Sequence, residues 1–189
     1  YYDKNYRGSW NGLTIISIAI GQGEVTATPL QIANLSATIA NRGYFITPHV
    51  VKEVEDEPLD TLYTNRRYTK VRREHYETVV EGMRAAVTGG TCRAANLPGL
   101  DVCGKTGTAQ NRGKDHSAFM GFAPMNDPKI AVSVYVENGG WGATYGVPIG
   151  ALIMEKYLTG DLSPQSEMKA NAYSFFAIFF LLPQLVVPP

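Results

Sequence analysis

Apolar residues recur at helical spacing in three segments of the chain. In the first, Thr28 suits the N-cap and Pro29 the first turn, Gln31 completes a reciprocal capping pattern, and Gly43 marks the end. Apolar residues cover most of the circumference of this helix: Leu30, Ile32, Ala33, Leu35, Ala37, Ile39 and Ala40. We therefore expect it to be largely buried.

A second helix is predicted over residues 74–88 and a third over residues 147–158. In the second, the apolar residues fall on one face: Tyr76, Val79, Val80, Met83 and Val87. Gly89 and Gly90 follow this face and predict the end of the helix. One face of the second helix should therefore pack on a core while the other stays solvated.

Extended structure is predicted in two places ahead of the second helix. Residues 14–20 are rich in β-branched side chains and end at Gly21-Gln22-Gly23, which predicts a strand and then a tight turn. Residues 44–55 have an extended pattern interrupted by Pro48. The charged segment 53–67 is typical of a surface loop or a small excursion.

Three more strands are predicted in close succession over residues 102–110, 117–123 and 129–137. The connections between them are short, and residues 111–115 form a polar turn, so neighbouring strands must pair antiparallel. The order of elements is strand, helix, strand, helix, three strands, helix. This order predicts an α+β fold in which an antiparallel sheet is flanked by helices.

Composition adds limits to that picture. The chain has 189 residues and is 44% hydrophobic, which is typical of one globular domain with a real core. Seventeen basic and seventeen acidic residues give no net charge, so no overall field would recruit nucleic acid or an anionic membrane. Partners must be inferred from a site.

Cysteines and histidines give little evidence of special chemistry. Cys92 and Cys103 either close a small disulfide loop or are two separate buried thiols. Because His49, His75 and His116 have no ligand spacing, we expect no metal site and no cofactor. His116 either lines a cleft or, as we favour, holds a turn.

Neither end of the chain resembles a natural terminus. The first residue is not Met and no signal-peptide pattern follows it, so we expect a piece of a longer protein. Residues 172–187 are strongly apolar but fall short of the roughly 20 residues that a spanning helix needs. We divide the chain into residues 1–159 and a polar, then apolar, tail over residues 160–189. For the tail, a docked helix, a disordered end and non-native sequence all remain open.

Lys105-Thr106-Gly107-Thr108 is the segment with the clearest chemistry. Attack on an amide or ester carbonyl builds negative charge on oxygen, and a strand at the rim of a cleft can donate an N–H to that charge. Gly107 permits close approach of a substrate backbone, the two threonines offer hydroxyls, and Lys105 offers a cation for a carboxylate. Alone, the string fits an edge strand protected against aggregation better than it fits a catalytic site.

Four blocks in order resemble the transpeptidase domain of class B penicillin-binding proteins. They are Ile18-Ala19-Ile20-Gly21-Gln22-Gly23, Thr28-Pro29-Leu30-Gln31-Ile32-Ala33, Gly104-Lys105-Thr106-Gly107-Thr108-Ala109 and Gly121-Phe122-Ala123-Pro124. Lys-Thr-Gly is a recognised mark of penicillin-binding proteins and class A β-lactamases. The Gly-Gln-Gly variant is most similar to the elongation-type members, called penicillin-binding protein 2. The resemblance covers roughly residues 10–159 and implies an incomplete fold of the serine β-lactamase type.

The resemblance implies a D,D-transpeptidase that cross-links peptidoglycan stem peptides through an acyl-serine and is acylated by β-lactams. Lys105 would then supply positive potential, and the hydroxyls of Thr106 and Thr108 would bind the substrate carboxylate. The N–H of Thr108 would be one oxyanion donor, and Gly107 would keep the strand open. It also implies a parent protein anchored by an N-terminal segment at the periplasmic face of the bacterial inner membrane, within a cell-wall-synthesis complex.

The chain departs from the family pattern at the nucleophile. Family members carry Ser-x-x-Lys and then Ser-x-Asn ahead of the Lys-Thr-Gly strand, with the lysine one helical turn from the serine. Ser166-Glu167-Met168-Lys169 follows the strand, and Ser9-Trp10-Asn11 adjoins the Gly-Gln-Gly block, so we interpret both as chance matches. We therefore expect no nucleophile in this chain.

Three functional interpretations remain open. The chain is a fragment of a transpeptidase, or a non-catalytic or truncated homologue that acts as a binding module in cell-wall synthesis. A serine β-lactamase shares the strand motif but is not expected to have the Gly-Gln-Gly and Thr-Pro-Leu-Gln blocks.

Trp141, in a glycine-rich loop, either roofs the substrate groove or anchors the last helix.

Overall fold

The computed structural model describes residues 2–173 and 178–181. Its helices are α1 (Tyr2–Tyr6), α2 (Gly12–Ala19), α3 (Pro29–Ala40), α4 (Thr61–Thr64), α5 (Arg73–Thr88), α6 (Gly146–Thr159) and α7 (Pro164–Ala172). Its strands are β1 (Tyr44–Phe45), β2 (Arg67–Tyr68), β3 (Cys103–Ala109), β4 (His116–Ala123), β5 (Ile130–Val136) and β6 (Ile178–Leu181).

The main sheet has four antiparallel strands in the order β3-β4-β5-β6. Its register places Thr106 opposite Phe119 and Phe119 opposite Val134. Alternate residues of a strand point to opposite faces, so these three side chains share one face of the sheet. The predicted antiparallel sheet flanked by helices is confirmed, and within the described residues β3 is an edge strand.

Helix α3 begins as its sequence predicts and covers part of one sheet face. Thr28 caps it, with Gln31 in the reciprocal capping bond and Pro29 in the first turn. Ala33, Ala37 and Ala40 are buried on this helix, together with Ile39. They join a core that contains Phe122 and Ala131 of the sheet, along with Tyr76, Val80 and Met83 of α5. The Ser36 hydroxyl also donates to the Gly121 carbonyl at 2.8 Å, which fixes α3 on β4.

Helix α6 covers the opposite face of the sheet. Phe119, Val132 and Val134 are fully or almost fully buried there against Val147 and Met154 of α6 and their neighbours. A Cβ at Gly150 would lie 2.4 Å from the Phe119 ring, so the helix axis approaches the sheet as closely as a glycine allows. This face is therefore continuously packed.

Of the two predicted strands ahead of α5, the first is wrong and the second is much shorter than predicted. Residues 14–19 lie in α2 because Asn11 and Thr14 make a capping box that begins a helix, and this local bonding outweighs β-branched propensity. No residue of α2 is buried. Of residues 44–55, only Tyr44–Phe45 pairs with another strand, and Val50 is 99% exposed. Residues 53–67 form the expected surface excursion, with α4 as its one regular helical turn among the described residues.

The tail and the cysteines can be placed in part. Ser163 caps α7, and β6 pairs antiparallel with β5. The remaining apolar stretch, at residues 174–177 and 182–187, lies outside the described residues. Among the helices that are described, none has the length and apolarity to cross a membrane. Both thiols are free and buried, so the two separate buried thiols are confirmed and the disulfide alternative is wrong.

Candidate active site

A cleft of about 650 Å³ runs along strand β3. One side is formed by the segment that connects α2 to α3, and the other by residues 105–109 of the edge strand together with Gln110. Its floor is formed by the sheet face that α3 leaves uncovered, with Ala118, Met120, Ser133 and Tyr135. All four residues of Lys105-Thr106-Gly107-Thr108 line this cleft, as a site on the strand requires.

The free edge of β3 carries backbone groups that face the cleft. The Lys105 ammonium donates to the Thr106 carbonyl at 2.9 Å, and the Gln22 amide donates to the Thr108 carbonyl at 3.5 Å. Both acceptors therefore point away from β4. In an antiparallel strand the N–H and C=O of one residue point to the same side, so the Thr108 N–H lies on this free edge too.

Side chains of the motif divide between the two faces of the sheet. Lys105 lies in register with Met120 on the floor of the cleft, whereas Thr106 lies in register with Phe119 on the face that α6 covers. The strand alternation thus places the cation on one side of the edge and both threonine hydroxyls on the other. A ligand bound along the edge would be within reach of both.

Each threonine hydroxyl already has a protein partner. Thr106 Oγ1 lies 2.8 Å from Thr91 Oγ1, and Thr108 Oγ1 accepts a hydrogen bond from the Gly142 N–H at 3.2 Å. Neither Thr91 nor Gly142 was predicted from the sequence. The only signal at either place was glycine, which we interpreted as a helix stop at residues 89–90 and as a loop at residues 138–142.

The glycine-rich loop is pressed against the motif strand. A Cβ on Gly142 would lie 2.4 Å from the Gly107 carbonyl oxygen and 2.6 Å from that of Ala118, so only glycine permits this contact. Buried Ser117 holds the loop, since its hydroxyl donates to the Trp141 carbonyl at 2.9 Å and accepts from the Gly146 N–H at 3.0 Å. The loop therefore fixes the position of the Thr108 hydroxyl.

Trp141 and His116 both lie beside this loop. The Trp141 side chain is 73% exposed and is not part of the cleft wall, while its carbonyl accepts bonds that fix the start of α6. His116 accepts the Asn138 N–H at its Nδ1, at 3.0 Å, and its ring contacts Tyr135. The turn-holding role predicted for His116 is confirmed.

Neither of the two chance serine strings lies at the cleft. Ser166 is buried beside α6, where it bonds Ser163. Desolvation opposes ionisation of Glu155, but hydrogen bonds from Ser166 and Ser163 outweigh it and lower the pKa of that carboxyl. In the other string, Asn11 caps α2. No residue of either string is a wall residue of the cleft.

Comparison with known proteins identifies the family to which this chain belongs. Residues 3–157 match the family described as Penicillin binding protein transpeptidase domain. The chain is 34% identical to the peptidoglycan D,D-transpeptidase MrdA of Haemophilus influenzae, an alignment that covers 87% of this chain and 28% of that protein.

Solved structures give the same result. The chain superposes on penicillin-binding protein 2 of Pseudomonas aeruginosa with a TM-score of 0.74 and 35% identity, covering 87% of this chain and 37% of that one. It superposes on penicillin-binding protein 2 of Helicobacter pylori, solved as a complex with MreC, with a TM-score of 0.68 and 26% identity, covering 85% and 30%. The chain thus spans between 28% and 37% of the length of these relatives, and it belongs to the penicillin-binding protein transpeptidase family.

Proposed function

We propose that this chain forms the carboxylate-binding and oxyanion-binding wall of a peptidoglycan D,D-transpeptidase. The observation that carries the proposal is the edge of β3, where Lys105, two threonine hydroxyls and the Thr108 N–H border one cleft. An oxyanion site needs donors that are fixed before charge develops. Pairing with β4 fixes the backbone, and Thr91 and Gly142 hold the hydroxyls.

In the proposed reaction, a serine outside this chain attacks the penultimate D-Ala carbonyl of a stem peptide. The serine oxygen bonds to the carbonyl carbon, and the Thr108 N–H stabilises the resulting oxyanion. The C–N bond to the terminal D-Ala then breaks, and the departing amine takes the proton that the serine hydroxyl gave up. An amine of a neighbouring stem peptide attacks the acyl-serine and forms the new amide; the ester C–O bond breaks, and the proton lost by the amine returns to the serine oxygen.

The remaining motif residues bind and orient the donor peptide. The hydroxyls of Thr106 and Thr108 donate to the terminal carboxylate, and Lys105 supplies positive potential and orients the serine hydroxyl of the Ser-x-Asn element. Gly107 leaves the edge open, because no side chain stands between the strand and the acyl group. A β-lactam carries a carboxylate and a reactive carbonyl in a similar relation, so it would acylate the same serine.

We place the parent protein in a membrane-bound cell-wall-synthesis complex that faces the periplasm. The support is the Helicobacter pylori structure, in which penicillin-binding protein 2 is in complex with MreC. The 26% identity to that protein extends over 85% of this chain. Peptidoglycan stem peptides and β-lactams are the proposed ligands.

The test uses the complete protein encoded by the reading frame that contains this segment. We expect benzylpenicillin to acylate it, and Thr108→Val to slow acylation by at least about tenfold because a charge-assisted hydrogen bond is lost. Thr64→Val, on exposed α4, is the matched control and should acylate at the wild-type rate. A complete protein that no β-lactam acylates would contradict the proposal and favour the non-catalytic binding module.

A further inference from the structure

The turn that follows α5 presents a hydroxyl to the motif strand in a fixed position. A Cβ on Gly90 would lie 2.8 Å from the Ala86 Cα, so the turn closes tightly only because residue 90 is glycine. The Cys92 N–H then donates to the Ala86 carbonyl at 2.9 Å, and the Cys92 side chain is fully buried. Thr91 is therefore held between two fixed neighbours.

This turn contacts β3 at Thr106. The Thr91 hydroxyl lies 2.8 Å from the Thr106 hydroxyl. A single long side chain reaching across would lose much rotamer entropy on ordering, but a short side chain on a closed turn has little freedom to lose. The backbone of the turn therefore fixes the position from which Thr91 contacts Thr106.

The effect of the contact on ligand binding depends on which of the two hydroxyls donates its proton. A threonine hydroxyl has one proton and two lone pairs. Thr108 accepts from the Gly142 N–H, so its own proton remains available to a ligand. Thr106 keeps its proton for a ligand only if Thr91 is the donor in their 2.8 Å contact. Hydrogen bonds in such a chain also polarise one another, which strengthens the terminal donor.

We propose that Thr91 is a positioning residue for carboxylate recognition: it donates to Thr106 and thereby directs the Thr106 proton toward the ligand. The proposal rests on the proposed function, because it takes the Thr106 hydroxyl as a donor to the substrate carboxylate. Thr91 itself does not touch the ligand. With valine at position 91, Thr106 loses its donor and is free to rotate among its staggered χ1 states.

The experiment compares a ligand that has the carboxylate with one that lacks its charge. The second-order rate of acylation is measured for the complete protein with benzylpenicillin and with its methyl ester. We expect Thr91→Val to slow the acid by about fivefold to tenfold and the ester by less than about twofold, since only the acid uses the directed proton. Thr91→Ser keeps the hydroxyl and should restore the acid rate.

Two further variants isolate the contact. Thr88→Val removes a hydroxyl from the end of α5 that donates to the Ala85 carbonyl, and it should change neither rate. Thr91→Val added to Thr106→Val should cause no further loss, because the two hydroxyls act as one unit. An equal fall for acid and ester, or an unchanged acid rate in Thr91→Val, would overturn the proposal.

The contact can also be tested by a measurement that does not depend on acylation. Threonine-methyl NMR of the same complete protein should give one χ1 rotamer for Thr106 in the wild type and rotamer averaging in Thr91→Val. An unchanged Thr106 rotamer in that variant overturns the positioning role even if no β-lactam acylates the protein. Failure of acylation in the wild type, with the rotamer change present, contradicts only the proposed function.

Discussion

The two faces of the main sheet differ in how completely they are covered, and the motif strand lies at the edge between them. Under α6, Phe119, Val132 and Val134 are buried without a gap. On the other face, α3 covers Phe122 and Ala131, whereas Met120 and Tyr135 form the floor of the cleft. The packed face gives the edge rigidity, and the open face gives a ligand access to it.

Truncating two neighbouring side chains that point to opposite faces should give the largest difference in stability. Phe119→Ala should lower the free energy of unfolding by about 3–5 kcal/mol, because it leaves a large cavity under α6. Met120→Ala should lower it by about 1 kcal/mol, because that side chain is already part of the cleft surface. Urea unfolding followed by circular dichroism measures both. Equal losses would show that the two faces are packed alike.

The glycine-rich loop should be the next most sensitive feature. Gly142→Ala forces a Cβ against two backbone carbonyls, so we expect a loss of about 1–3 kcal/mol in unfolding free energy. Gly113→Ala is the control, since a Cβ there meets nothing within 4 Å. The same urea titrations give both values. A neutral Gly142→Ala would mean that the loop does not press on Gly107.

Exposed apolar surface on the open side should make this 189-residue chain associate and melt at low temperature. In α2, Leu13 is 74% exposed and Ile16 is 59% exposed. Replacing both with serine should weaken self-association by about tenfold or more, as read by light scattering after size exclusion. A wild-type chain that is monomeric and melts cooperatively would count against this prediction.

The last expected effect is absent at neutral pH and concerns the buried Cys103 thiol, which shares a core with α3. Burial raises the pKa of Cys103 to about 11. An exposed thiol in the unfolded chain ionises near pH 8.5, so folding is favoured fully below that pH and the stability contribution is lost as the pH rises toward 11. Cys103→Ala should remove this part of the alkaline loss in unfolding titrations. Identical alkaline profiles would contradict it.

How far the sequence predicted the structure depends on whether local and tertiary signals agreed. Helices α3 and α5 were predicted because Thr28, Pro29 and Gly89 mark their ends and most of each apolar face is buried, although Val79 is 46% exposed. For α2, β-branched residues favoured a strand, but the Asn11 cap begins a helix that has no fully buried residue. Because no face of this segment is buried, packing does not impose a helical period on its apolar residues, and its β-branched residues led to a wrong prediction.

The motif strand was predicted, but its supports were not. Lys105 to Thr108 are consecutive, so one strand brings them to the cleft. Thr91 and Gly142 reach the same hydroxyls from distant turns, and nothing local distinguishes a glycine that closes a helix from one that clears space for a neighbouring strand. Such contacts depend on packing of the whole domain.

The most direct test of the account maps where a penicillin becomes attached. The complete protein and the isolated 189-residue chain are treated with benzylpenicillin and examined by intact mass and peptide mapping. We expect one adduct on the complete protein, on the serine of a Ser-x-x-Lys element upstream of Tyr1, and no adduct on the isolated chain. An adduct on Ser166, Ser9 or any other serine of this chain would contradict the account.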